Sequence, residues 1–340
     1  MKLAFEQIKS VTTGAVSVYN TEEGVCFDRF TPEQRTAFRD CRDEFYYKSF
    51  SCAGIRLRFR TDSQYLSLRA MTYAARARTC FAFDVSVNGT VVDSLDNYTG
   101  VPTDGLFVDG TYPTGLMEKE FFLGYGEKSV QILFPWNAKV VLQELRLDDG
   151  AQLTPEIPKK KLLAFGDSIT MGFDACRPSN RYAGRLADAL GVAEYNKAIG
   201  GSVFIPAVAA CTEELNPDCI LVAYGTNDWN MKEKEQLQND CRLFLENLRG
   251  NYSGVPMLVI TPIWRKDKDE ERPAGSFADV GSYIRQVAEN LPDTCVIPGF
   301  DLVPHDTRFF SDLRLHPNDE GFAHYFRNLW QRLGENLRKA

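Results

Sequence analysis

The chain has 340 residues, 44% of them hydrophobic and 25% charged, and a formal net charge of -7. That acidic balance excludes a broad nucleic-acid surface, because phosphate contacts need an excess of lysine and arginine. The length exceeds that of most single cores, so two domains are expected, and no apolar run is long enough to cross a bilayer.

The first residues, MKLAFEQIKSVTTG, show no unbroken apolar core and no small-residue cleavage site, so no signal peptide is expected. Nine cysteines without regular spacing suit reduced thiols in a cytoplasmic protein, an expectation that a trimmed export signal would overturn. Without such a signal the sequons at Asn88, Asn97 and Asn251 carry no weight. From Gly54 to about Gly150 apolar and polar residues alternate, as in IRLRFR (Ile55 to Arg60), YLSLRA (Tyr65 to Ala70) and VQILFP (Val130 to Pro135). Period two marks strands with one buried face. In FAFDVSVNGTVVDSL, Asn88 and Gly89 can both take positive φ, which predicts a hairpin with a type I′ turn. Short strands with no helix between them predict an antiparallel sandwich of jelly-roll type over residues 1–150.

The polar, proline-bearing stretch from Asp148 to Lys161 predicts a linker, placed at 151–159, and its lysines suit a solvated approach to the next strand. Residues 160–340 form a second domain with a different period. KLLAFG, EYNKAIG, CILVAYG, PMLVITPI and TCVIPG are short apolar runs separated by helical stretches. Strands buried on both faces belong to a parallel sheet covered by helices, here a three-layer α/β domain of about five strands. In SNRYAGRLADALG, Ser179 suits a helix cap, Tyr182, Leu186 and Leu190 share a face, and Gly191 ends the helix. The next stripe is Leu237, Cys241, Phe244, Leu245 and Leu248, closed by Gly250. The last helix sets Phe322, Tyr325, Phe326, Leu329, Trp330 and Leu333 on one side.

Open α/β sheets bind ligands beyond the carboxyl ends of their strands. There the sequence places Gly166-Asp167-Ser168, Gly200-Gly201-Ser202, Gly225-Thr226-Asn227-Asp228 and the loop containing HPND. Ser168 reads either as a helix cap or as a nucleophile, and a serine nucleophile needs a histidine within hydrogen-bond reach. Only His305, His316 and His324 are available.

GDSIT, the glycine of NKAIGG, GTND and HPND, in that order, resemble the four blocks of the SGNH, or GDSL, hydrolase family over roughly residues 160 to 340. The resemblance implies Ser168 as nucleophile and His316 as general base. It also implies an oxyanion hole built from the N–H groups of Ser168 and Gly201 with the Asn227 side chain. The family's aspartate stands three residues before the histidine, but Leu313 occupies that position and the nearest carboxylate is Asp312, four before. Asp312 is favoured as the third catalytic member over a backbone carbonyl or water, and Asp301, Asp306 and Asp319 are weaker candidates. Asp167 and Asp228 suit turns and helix starts, while Trp229 and Trp264 read either as pocket walls or as plain packing.

A sandwich followed by such a domain, with a GIRLRFRTDS segment, also resembles carbohydrate esterase family two. That implies hydrolysis of acyl esters, chiefly O-acetyl groups, on a sugar or oligosaccharide. A lipid-type esterase or thioesterase with a longer acyl pocket is the alternative within enzymes, and an idle carbohydrate-binding protein the alternative outside them. No metal and no cofactor are expected, since no histidine and cysteine cluster has zinc spacing.

Overall fold

The computed structural model describes residues 1–102 and 105–333, so the last seven positions of the expected second domain lie outside the described residues. The strands of the front half are β1 (Thr12–Thr13), β2 (Ser17–Thr21), β3 (Gly24–Asp28), β4 (Arg56–Thr61), β5 (Tyr65–Ala74), β6 (Ala82–Val87), β7 (Thr90–Asp96), β8 (Gly115–Phe122), β9 (Lys128–Leu133), β10 (Ala138–Leu147) and β11 (Thr154–Pro155). They form two antiparallel sheets, ordered β1-β4-β9-β6-β7, with β11 also on β4, and β2-β3-β10-β5-β8. Alternation does the folding here. Leu57 and Phe59 of β4 and Leu66 and Leu68 of β5 are fully buried in one core with Phe83, Val130 and Val140. Removing such side chains from water stabilises the sandwich by about 1.5–3 kcal/mol each. The β6–β7 hairpin turns at Asn88 and Gly89 with φ of 49° and 83°, as a type I′ turn requires.

The second half contributes β12 (Lys161–Gly166), β13 (Ala193–Asn196), β14 (Cys219–Ala223), β15 (Met257–Ile260) and β16 (Thr294–Ile297). They form one parallel sheet in the order β13-β12-β14-β15-β16. The short apolar runs are these strands, buried on both faces by helices. In chain order the α-helices are α1 (Phe5–Ser10), α2 (Pro32–Cys41), α3 (Asp43–Lys48), α4 (Ser168–Met171), α5 (Tyr182–Leu190), α6 (Pro206–Ala210), α7 (Thr226–Met231), α8 (Lys234–Asn251), α9 (Phe277–Glu289) and α10 (Asp319–Arg332). The stripe Leu237, Cys241, Phe244, Leu245 and Leu248 is buried under the sheet.

Two helix boundaries differ from expectation. Ser179 does not cap α5, because residues 178–180 form a 3-10 turn and the helix starts at Tyr182; the Ser179 N–H instead donates to Asp84 of the sandwich at 3.1 Å. Gly250 does not close α8, which continues one residue further.

Helices α2 and α3 interrupt the front half, and they leave its core for the other one. Thr31 and Gln34 form a capping box that starts α2. Phe38 and Phe45 then pack with Phe165, Ile199 and Val203 of the α/β half. Buried cations complete the joint. Arg29 donates to the carbonyls of Ser51, Asn196 and Ala198, and Arg56 to Asp188 and the Gly184 carbonyl. Trp136 donates its indole N–H to the Ala175 carbonyl at 2.9 Å. The sandwich therefore grips loops that leave β12 and β13.

Candidate active site

β12 ends at Gly166, and the chain turns at once into α4. Asp167 is the N-cap of that helix, its carboxylate accepting the Ile169 N–H at 2.9 Å. Ser168 is thus the first helical residue rather than the cap, and its hydroxyl is left for other work. The Ser168 Oγ lies 2.9 Å from His316 Nε2, and His316 Nδ1 lies 2.7 Å from Asp312 Oδ2. Segments 148 residues apart meet as serine nucleophile chemistry requires.

The four-residue spacing from Asp312 to His316 has a local cause. Leu313 sits in the left-handed region at φ 56°, folding the loop so that Asp312 Oδ1 accepts the N–H groups of Arg314, Leu315 and His316 at 3.0, 2.7 and 3.1 Å. The other carboxylate oxygen is then aimed at the imidazole. Burial alone would push this carboxyl up, but the hydrogen bond and charge of His316 and the loop N–H groups outweigh it. The carboxyl is held well below the usual carboxylate range.

On the opposite side, Asn227 stands in the first turn of α7 and donates its side-chain amide to the Ser202 carbonyl at 3.0 Å. That bond fixes the amide plane and leaves its second N–H without an acceptor among the described residues. The Ser168 and Gly201 N–H groups likewise have no acceptor among the described residues. Gly201 has φ 83°, a conformation costly for any side chain. A Cβ on Gly200 would meet the Phe173 ring at 2.4 Å. Asp228 supports this rim from below, accepting the Phe204 N–H and the Lys232 ammonium, both at 3.0 Å.

The other sequence candidates lie elsewhere. His305 bonds the Phe300 carbonyl and Asp301 and stacks on Trp264, which accounts for both rings as packing. Trp229 is fully buried and donates to the Gly275 carbonyl, so it is no pocket wall. His324 is half-buried edge-on against Phe309, away from Ser168. Asp306 caps a 3-10 turn, and Asp319 accepts the Cys176 N–H. Ser202 is buried, with its hydroxyl on the Val203 carbonyl.

Sequence reading missed a second carboxylate. Asp174 is buried with φ 71°, and its Oδ2 lies 3.8 Å from His316 Nδ1. Arg78, from the loop between β5 and β6, clamps both Asp174 oxygens at 2.8 and 3.3 Å. Burial raises the Asp174 carboxyl despite His316 and Arg78, which pull it down. Phe173 lies over the imidazole at 5.4 Å and is backed by Trp136. Asp174, Asp312 and His316 come close enough to share a cation, but Arg78 already neutralises that corner. No spacing rule exposes Arg78, because its partner is 96 residues away.

Residues 164–324 match the GDSL-like Lipase/Acylhydrolase family. Solved structures share the whole architecture at low identity. A salicylyl-acyltransferase, SsfX3, from a tetracycline biosynthetic pathway is 20% identical with a TM-score of 0.79, covering 94% of this chain and 92% of that one. A putative GDSL-like lipase from Bacteroides ovatus is 18% identical with a TM-score of 0.74, covering 99% and 98%. A family two carbohydrate esterase from Cellvibrio japonicus is 17% identical with a TM-score of 0.63, covering 97% of each. No curated protein matches the chain in sequence. Among the described residues no helix is long and apolar enough to cross a membrane.

Proposed function

We propose that the protein is a serine esterase that removes acyl groups, chiefly O-acetyl, from carbohydrate, a reading supported by the match of residues 164–324 to the GDSL-like Lipase/Acylhydrolase family. The contact that carries this reading is Ser168 Oγ to His316 Nε2 at 2.9 Å, with Asp312 behind the ring at 2.7 Å. His316 takes the hydroxyl proton as Ser168 attacks the ester carbonyl, and Asp312 stabilises the imidazolium that forms. The N–H groups of Ser168 and Gly201 and the free N–H of Asn227 receive the oxyanion, and each such donor is worth about 10²- to 10³-fold in rate. His316 then protonates the departing alcohol and activates water to release the acyl group from Ser168. The residues need no cofactor for any of these steps.

The carbohydrate reading is supported by the shared two-domain architecture with a family two carbohydrate esterase. The test is acetate release across acetylated sugars and oligosaccharides, with Ser168→Ala as control. Turnover in the wild type and none in the folded variant is expected, whereas a variant that still releases acetate would refute the nucleophile. Octanoyl esters cleaved faster than acetyl esters would favour a lipid-type enzyme, and an inert wild type that binds glycan would favour a binding protein.

A second reading, acyl transfer to an alcohol acceptor instead of water, is favoured by the likeness to the salicylyl-acyltransferase. Added acceptor alcohol would then yield new ester at the expense of free acid.

A further inference from the structure

Gly200 and Gly201 are the central residues of a four-residue turn closed by the Ser202 N–H on the Ile199 carbonyl at 3.0 Å. Only the second glycine has positive φ, which makes the turn type II. Types I and II differ by a flip of the central peptide, here the one joining Gly200 to Gly201. That peptide is planar, so its C=O and N–H point in opposite directions. The flip would turn the Gly201 N–H out of the site, and two glycines offer no side chain to resist it.

The resistance comes from outside the α/β half. The Lys48 ammonium, at the end of α3, donates to the Gly200 carbonyl at 2.9 Å. Glu44, one turn earlier, holds the same ammonium at 3.3 Å. The lysine side chain is only 12% exposed, so its charge acts through little water. α3 covers the outer face of the turn closely: a Cβ on Gly201 would lie 3.6 Å from the Phe45 ring and 3.7 Å from Lys48 Nζ.

We propose that Lys48 is a positioning residue of the active site. It locks the Gly200–Gly201 peptide with the Gly201 N–H facing the oxyanion and, by drawing electron density toward the carbonyl end, makes that N–H a stronger donor. The front half of the chain thereby completes the oxyanion hole without touching substrate. This inference rests on the esterase reading above, in which Gly201 serves the oxyanion.

The test compares wild type, Lys48→Met, Lys48→Gln, Lys48→Arg and Ser168→Ala on one aryl acetate, together with affinity for an alkyl boronic acid that mimics the tetrahedral intermediate. Weakening one oxyanion donor short of losing it should lower kcat in Lys48→Met about tenfold, with KM held within about twofold and boronate affinity falling in parallel. Lys48→Arg should restore most of the rate, because a guanidinium can still donate to the Gly200 carbonyl. A purely structural lysine would instead lower the melting temperature and leave the kcat of the folded fraction and its boronate affinity alone. A folded Lys48→Met with wild-type kcat overturns the proposal, and so does a loss that Lys48→Arg fails to recover. Should Lys48→Met not fold, Lys48→Gln decides: a kcat below wild type at unchanged KM supports the proposal, and wild-type kcat overturns it. Ser168→Ala keeps the two claims apart, since an active Ser168→Ala refutes the esterase reading, while an inert one beside a fully active Lys48→Met refutes only the role of Lys48.

Discussion

Replacing Asp312 by asparagine isolates what that carboxylate does for the imidazole. Oδ1 accepts three backbone N–H groups of its own loop, and Oδ2 accepts from His316 Nδ1. An asparagine cannot turn its NH2 toward three donors, so its oxygen must stay with the loop and its nitrogen must face the ring. The ring then carries its proton on Nε2, where a lone pair is needed to accept from Ser168. The expected result is a fall in kcat of about 10³–10⁴-fold, the scale on which a serine hydrolase responds to a wrong imidazole tautomer. The loop keeps its bonds, so the melting temperature should hardly move near neutral pH.

Asp312→Ala reverses the emphasis. It leaves three N–H groups without their acceptor and should cost about 2 kcal/mol of stability. Its kcat should fall no further than in Asp312→Asn, because water or Asp174 can then reach Nδ1. The folded carboxyl titrates below its unfolded value. Its stabilisation is therefore complete above about pH 4 and drains as the pH falls further, so wild type and Asp312→Ala should converge in acid. Stopped assays on an aryl acetate with parallel melting curves measure both effects. An Asp312→Asn enzyme within tenfold of wild type would refute the assignment and shift attention to Asp174.

Arg78→Met removes the cation from a fully buried Asp174 while the arginine itself is 24% exposed, so a loss of about 2–3 kcal/mol is expected. Melting of the single variants and of Arg78→Met with Asp174→Asn should show the double variant regaining much of that loss; strict additivity would deny the pairing. Burial drives the Asp167 carboxyl up to about 7, against the pull of the Ile169 N–H and His316. A raised folded value means that the contribution of Asp167 to stability is greatest below about pH 4 and declines as the pH climbs through 7. Asp167→Asn should therefore gain on wild type in melting temperature between pH 5 and pH 8, and a difference that stays flat over that interval would contradict the raised value.

What could be read in the sequence was what repeats or what is local. Alternation in IRLRFR and YLSLRA placed β4 and β5, and Asn88-Gly89 placed the hairpin between β6 and β7. The uninterrupted runs from KLLAFG to TCVIPG became the parallel sheet, and the strand ends brought Ser168 and His316 together. Illegible were the features that depend on a distant surface. Phe38 and Phe45 look like any amphipathic stripe, and nothing in α2 or α3 says that the core they join belongs to the other half. Arg78 and Lys48 are two among many cations until Asp174 and the Gly200 carbonyl are set beside them. The spacing from Asp312 to His316 looked anomalous because a leucine at position 313 gives no sign of taking left-handed φ. Ser179, a good cap by composition, lies instead in a 3-10 turn ahead of α5, with its N–H on Asp84 of the sandwich.

The most direct measurement is peptide mapping after treatment with a fluorophosphonate, run on wild type, Ser168→Ala and His316→Ala. A single adduct on Ser168 in the wild type, none in Ser168→Ala and a rate lower by about 10³-fold in His316→Ala is the expected pattern. An adduct on another residue, or equal labelling rates with and without the histidine, would contradict a nucleophile activated by His316.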